Sequence, residues 1–331
     1  MKKRLFILIL LILNSMFLYS QINLSKTAQS TMNFLLVSTS SRAAGMGDAF
    51  TTLGNGAESM FYNPAGLTET KNEFDINLNY TQWIADINYL SGAAAWNIGD
   101  YGVIGINLIT IDYGQIKGTS LLLDEFSAGY TDNGDINNVG AYCVGLSYAK
   151  PISNEFSIGG TIKLAGQNLG QNFISTGLKD NNAAKLAFDA GVLYKTGFKD
   201  FTFGMSIRNF ATNIKREEIE EQLPLVFALG SSINVIDLVD AELANDNTLL
   251  ISVDFLHHNN YSERFNLGFE YTYSKMFSLR GGYQTNRDLA SWSGGVGFLT
   301  TILSYDVKFN YSYSAFEFFN DVNRISIVFS F

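Results

Sequence analysis

From about Phe74 onward, apolar and polar side chains alternate in segments of roughly ten residues, the length a tilted strand needs to cross a bilayer. The clearest segment sets Leu303, Tyr305, Val307, Phe309, Tyr311 and Tyr313 against Ser304, Asp306, Lys308, Asn310, Ser312 and Ser314. Another sets Phe265, Leu267, Phe269, Tyr271 and Tyr273 against Asn266, Gly268, Glu270 and Thr272. Successive strand side chains point to opposite faces, so each segment presents one apolar and one polar face. Turn chemistry divides the chain into about fourteen such segments, at 73–83, 87–98, 101–112, 136–149, 155–168, 184–195, 200–211, 224–236, 248–258, 263–274, 276–286, 290–299, 303–314 and 322–331. Bacterial single-chain barrels have an even strand number.

The connections alternate in length. Gly99-Asp100, Pro151 to Asn154, Gly197 to Lys199 and Ser274-Lys275 are short, whereas 113–135, 169–183 and 212–223 are long. Short turns are periplasmic and long loops external in such barrels. The acidic stretch 237–247 is the exception, and it reads as a small periplasmic helix. The last eight residues, Arg324 to Phe331, alternate up to Phe329 and Phe331 and read as the closing strand. A barrel needs that strand paired with its first, because an open edge in lipid leaves backbone groups unpaired.

Alternation also occurs in soluble sandwiches, so the chemistry of the two faces has to decide. Here the regular face is large and aromatic, while the other carries Lys163, Asp254, Glu270, Asp306, Lys308 and Asn310. That arrangement suits lipid outside and a polar lumen inside. Tyr101, Tyr148, Tyr194, Phe198, Phe201, Tyr311, Tyr313 and Phe316 fall near strand ends and are expected to form two aromatic girdles. Composition agrees: 14% of the 331 residues are aromatic and only 16% charged, against about 25% charged in ordinary soluble proteins.

Residues 22–70 lack this alternation and are rich in small side chains, so they read as compact helix and turn. Ahead of them, Lys2, Lys3 and Arg4 precede an apolar run from Leu5 to about Leu18, and Tyr19-Ser20-Gln21 offers a cleavage site. The run is shorter than the ~20 residues of a spanning helix, which favours a signal peptide over a retained anchor. The expected division is therefore a signal peptide at 1–20, an N-terminal segment at 21–71 and a barrel at 72–331. Loss of the three basic residues leaves 19 cations against 31 anions, a net −12, which disfavours nucleic acid as a partner.

Within the N-terminal segment, Phe34-Leu35, then Ser41-Arg42-Ala43-Ala44-Gly45-Met46-Gly47-Asp48-Ala49-Phe50, then Ala57 to Leu67 with Asn63-Pro64-Ala65-Gly66, resemble the signature of the PorV/PorQ family. That family is similar to the wider group of FadL-like barrels. The resemblance implies an all-β, antiparallel transmembrane barrel of fourteen strands whose N-terminal segment folds into the lumen as a hatch, with Arg42, Gly45, Gly47, Asp48, Asn63, Pro64, Ala65 and Gly66 as its motif. The residues fit that expectation: Ala43 to Ala49 are small enough for close packing, and proline after asparagine sets up a tight turn. Arg42 and Asp48 are expected to pair with lumen charges such as Asp306, Lys308 or Glu270. The alternative is a periplasmic extension with an ordinary turn.

Catalytic signals are weak. His257-His258 are adjacent, so as strand residues they point to opposite faces and do not make one site. Gly45-Met46-Gly47 and Gly294-Gly295-Val296-Gly297 lack the strand-turn-helix context of a nucleotide site and read as close-packing glycines. Asp132-Asn133-Gly134-Asp135 lacks the carboxylate spacing of a calcium loop, and Cys143 stands alone as a small buried side chain. No enzyme, metal or cofactor is expected.

Three functions remain. The family resemblance implies an outer-membrane accessory of type IX secretion, with outer-membrane lipid, a large translocon and exported cargo as partners. Loop 113–135, with Leu121, Leu122, Leu123 and Phe126, is the candidate contact surface, because consecutive apolar residues there are disfavoured in water alone. Folding of these leucines back into the barrel mouth is the alternative. The second function is a FadL-like channel with a hydrophobic ligand, which needs a strand interruption; Gly159-Gly160, Gly281-Gly282 and Gly294-Gly295 offer kinks. The third is a structural anchor for surface components.

Overall fold

A computed structural model describes residues 29–121, 129–136, 139–174, 177–215, 219–239, 246–287, 291–303, 305–317 and 319–331. Among them, fourteen antiparallel strands close into one barrel. Numbering only the barrel strands, these are β1 (Phe74–Gln82), β2 (Asn88–Asn97), β3 (Val103–Asp112), β4 (Val139–Pro151), β5 (Phe156–Ile174), β6 (Gly177–Lys195) and β7 (Thr202–Phe210). The circuit continues with β8 (Val226–Asn234), β9 (Thr248–His258), β10 (Arg264–Tyr273), β11 (Phe277–Gln284), β12 (Trp292–Ile302), β13 (Tyr305–Ser314) and β14 (Val322–Ser330). Each strand pairs with its neighbours in sequence, and β14 pairs with β1.

At the seam, Asp75 faces Ser330 and Leu78 faces Ile327. Beyond the last ladder pair, Phe331 N–H donates to the Phe74 carbonyl at 3.0 Å and Phe74 N–H donates back at 2.8 Å. Phe331 also stacks on Phe74, with ring centroids 5.4 Å apart. The expected alternation holds around the ring. In β3, Val103, Ile109 and Ile111 are buried while Ile104, Ile106 and Leu108 are exposed, and in β10 Asn266 and Glu270 are buried while Phe265, Phe269 and Tyr271 face out.

The loop expected at 169–183 is instead mostly strand. β5 and β6 run on as a long hairpin past the barrel rim, with a register shift between Asn168 and Gln171. Polar side chains there, such as Gln171 bonded to Asp180 at 2.7 Å, let an antiparallel ladder continue into water. Loop 113–135 holds a two-stranded ribbon, Lys117–Leu121 against Tyr130–Asp135, and 212–223 holds a smaller one. The 237–247 connection begins with a one-turn helix, Ile236–Val239. Residues 1–20, expected to be a signal peptide, and Leu122, Leu123 and Phe126 lie outside the described residues.

Tyr101, Tyr148, Tyr194 and Phe198 are exposed at the short-turn end, and Tyr311 and Tyr313 at the other. Phe316 departs from the girdle: its ring packs edge-on against Trp83 at 5.4 Å, where it walls the barrel mouth. The glycine pairs read as kinks do not interrupt the ladder, because Gly281 pairs with Gly294 and Arg280 with Gly295 in unbroken register. Leu146 lies mid-strand on the exposed face, opposite Ile106 and Ile162. Leu146→Arg is expected to cost about 2–4 kcal/mol, read as a lower urea midpoint and loss of the heat-modifiable band on gels.

Candidate functional site

The N-terminal segment runs inside the ring. Its described part starts at the long-loop end, where Thr31 N–H donates to the Gln222 carbonyl, and reaches the short-turn end, where Glu69 meets Lys195 at 2.7 Å. Between these points it forms short helices of one or two turns at Asn33–Leu36, Ser41–Gly45, Gly56–Phe61 and Pro64–Glu69. Ser40 caps the second turn by accepting from Ala43 N–H at 3.3 Å. Asn63 caps the last by accepting from Ala65 N–H, with Pro64 at the first helical position. Isolated turns of this length are not stable in water. They hold here because the wall satisfies their backbone groups.

Polar wall side chains do that work, the carboxylates among them. Asp254 Oδ2 accepts Phe50 N–H and Thr51 N–H, each at 2.8 Å, and the Thr51 hydroxyl at 2.6 Å. Asp75 accepts Ala57 N–H at 2.7 Å. Asn63 Nδ2 donates to the carbonyls of Thr51 and Val192, tying two parts of the segment to β6. Arg208 donates to the Phe61 carbonyl at 2.8 Å. Ala43, Met46, Phe50, Ala57, Ala65 and Leu67 are all fully enclosed.

Arg42 is the hub of the charged contacts. Its Nε and Nη2 hold both oxygens of Glu270 at 2.9 and 2.8 Å, and Nη1 reaches Glu58 at 3.2 Å. Arg280 of β11 takes the same Glu270 from the other side. Burial alone would pull the Arg42 guanidinium down, but Glu270 and then Glu58 more than offset this and hold it above its ordinary value. Asp306 and Lys308 take no part in holding Arg42. Asp48 instead accepts from Gln284 Nε2 at 2.9 Å and lies 3.9 Å from Arg287. Burial, reinforced by Asp48, raises the Tyr62 phenol, whose oxygen meets the Ser38 hydroxyl at 2.8 Å.

Wall glycines make room for this packing. A Cβ on Gly282 would strike the Gly47 amide nitrogen, and one on Gly159 would lie 2.5 Å from Ala65 N. Gly47 and Asp48 themselves turn with φ of 63° and 56°. Gly45 approaches Gly295, while Gly66 backs onto the Gly54 carbonyl. The structure thus gathers Arg42, Gly45, Gly47, Asp48, Asn63, Pro64, Ala65 and Gly66 inside the barrel. Phe329 and Phe331 lie in and beside the seam, and Leu121 stands apart on the external ribbon, 81% exposed. Asp75, Arg208 and Arg324 also touch the segment, but nothing in their spacing distinguishes them from other polar wall positions.

Residues 20–257 match the family described as type IX secretion system protein PorV. The chain belongs to the PorV family. Solved structures similar to this PorV-family chain are FadL-like outer-membrane barrels. The CymD monoaromatic hydrocarbon channel is 14% identical, covering 89% of this chain and 98% of that one, with a TM-score of 0.59. The Pseudomonas putida toluene transporter TodX is 11% identical over 88% and 96%, with a TM-score of 0.58. A Pseudomonas aeruginosa FadL homologue is 13% identical over 89% and 97%, with a TM-score of 0.51. These likenesses establish the fold. No curated protein matches the sequence.

Removing Arg42 leaves Glu270 with Arg280 alone and strips Glu58 of its cation. Arg42→Gln is expected to cost about 3 kcal/mol, measured by urea unfolding. Gly282→Val should displace the turn at Gly47 and raise conductance in planar bilayers above that of the unaltered protein.

Proposed function

We propose that this PorV-family barrel is a non-enzymatic accessory of type IX secretion that receives exported cargo at its external surface. The observation that supports this is the filled lumen. The N-terminal segment reaches wall residues on both sides of the ring, from Asp75 and Gly105 through Gly159, Gly191, Gly230 and Gly268 to Gly295 and Ser326. It is pinned there by buried charge pairs and backbone bonds. A passive route through the barrel would require breaking them, whereas docking on the outside requires none of this. The exposed ribbon, with Leu121 and Tyr130 both in water, offers an apolar contact surface.

A second reading, passage of a hydrophobic ligand, draws support from the FadL-like fold and from the cavity at the external mouth. The two readings separate in one experiment. Tagged protein is purified in gentle detergent from its own outer membrane, and the accompanying proteins and extracted lipids are identified by mass spectrometry. Docking predicts recovery of a very large barrel and of exported proteins, with Leu121→Asp reducing that recovery about tenfold. Recovery of the barrel alone with a bound fatty acid would replace docking by transport.

A further inference from the structure

Strict alternation fails where β6 meets β7. The register slips between Phe188 and Ala190, which pair with Phe210 and Ile207, so Arg208 and Asn209 together oppose Asp189. This is a β-bulge. Counting inward from buried Ser206, the pleat would send Asn209 to the lipid face. Instead Asn209 turns with φ of 63° and is buried in the lumen, 3% exposed.

The bulge brings three different side chains from neighbouring strands into contact. Lys163 Nζ of β5 lies 2.7 Å from Asp189 Oδ2 of β6 and 2.6 Å from Asn209 Oδ1 of β7. Asp189 Oδ1 accepts the Asn209 N–H at 2.6 Å, which fixes the bulge, and Asn209 Nδ2 donates to the Pro224 carbonyl at 2.9 Å. Among the described residues, Lys163 is the one buried lysine. Lys117 and Lys195, which also pair with carboxylates, are far more exposed.

An amine, a carboxamide and a carboxyl group held together out of water are the components of an intramolecular isopeptide bond. Enclosing an ion pair is costly, and passing a proton from Lys163 to Asp189 turns it into a neutral amine and acid. The amine already rests against the amide oxygen, so its path to the adjacent Cγ is short, as an efficient intramolecular reaction requires. We propose that Lys163 Nζ and Asn209 Cγ join spontaneously in an amide bond, with Asp189 carrying the protons.

Asp189 Oδ2 first takes one proton from the Lys163 ammonium. Nζ then attacks Cγ, and the carbonyl electron pair moves onto Oδ1. Asp189 passes its proton to Nδ2, the Cγ–Nδ2 bond breaks as the carbonyl re-forms, and ammonia leaves. Nζ gives its second proton to Asp189, which ends as a neutral carboxylic acid. One amide is exchanged for another, so atoms and charge balance and no oxidant or metal is consumed. The three groups line a chamber of about 70 Å³, roomy enough for the departing ammonia. The bond ties β5 to β7 across β6, where the bulge interrupts the ladder, and beside Arg208, which holds the Phe61 carbonyl of the N-terminal segment. It is independent of the docking reading.

The test uses the full chain, purified from its own outer membrane, shown to be folded by heat-modifiable migration and then digested with trypsin. Cleavage after Arg208 and Lys215 releases residues 209–215. Linkage predicts these residues in a branched peptide, attached through Asn209 to an uncleaved Lys163 and one ammonia lighter than the sum of its parts. Fragmentation by mass spectrometry locates the junction. Lys163→Arg, Asn209→Ala and Asp189→Ala are each expected to lose the branched peptide entirely, and Lys185→Arg to keep it. Recovery of linear 209–215 together with cleavage after Lys163, in the folded unaltered chain, overturns the inference. So does loss of ammonia confined to peptide 209–215, which marks closure of Asn209 on its own backbone. A branched peptide that persists in Asp189→Ala overturns the role given to Asp189.

Discussion

A backbone crossing hydrocarbon must pair every N–H and C=O within the protein, and this constraint underlies the whole architecture. A sheet meets it only by closing on itself. Here closure is carried by the β1–β14 ladder and by the reciprocal bonds of Phe74 and Phe331. Once the ring is shut, period-two alternation sorts each strand into an aromatic and aliphatic exterior and a polar interior. The interior then becomes an energetic problem, because groups such as Asp254, Glu270, Arg280 and Arg324 are enclosed with little water around them.

The N-terminal segment resolves that problem with complementary polar groups. Asp254 receives backbone amides, Glu270 receives Arg42, and Arg324 donates to a segment carbonyl. The dependence is mutual, since the segment's short helical turns lack the length to persist alone and Asp254 takes its hydrogen bonds from the segment. Small residues on both sides permit the approach. Gly45 against Gly295 and Gly47 against Gly282 bring backbone to backbone, where side chains would hold the segment away and break the charged contacts.

Membership in the PorV family and the FadL-like fold place one architecture at the meeting point of two functions. Fold alone does not separate them, because function resides in sites carried by the fold. The filled lumen and the exposed ribbon bear on one side of the question, and the cavity at the external mouth bears on the other.

The sequence by itself determined the barrel. Alternation is local, repeats in every strand and needs only the pleat of the backbone to become two faces, so the strand number, the seam at Phe331 and the outward aromatics were legible. The Arg42 and Asn63-Pro64 motifs were legible through the family resemblance, with charge pairing expected of Arg42 and a tight turn of Asn63-Pro64, whereas the cap that Asn63 makes on the following turn was not foreseen. What only the tertiary structure decided were the pairings across the lumen. Arg42 selects Glu270 rather than Asp306 or Lys308, Phe316 turns into the mouth, and the glycine pairs accept the segment instead of kinking the wall. Such partners are separated by up to 286 residues, as between Ser38 and Arg324. Periodicity says which face a side chain takes, but the radius, tilt and stagger of the closed ring decide which inward groups meet.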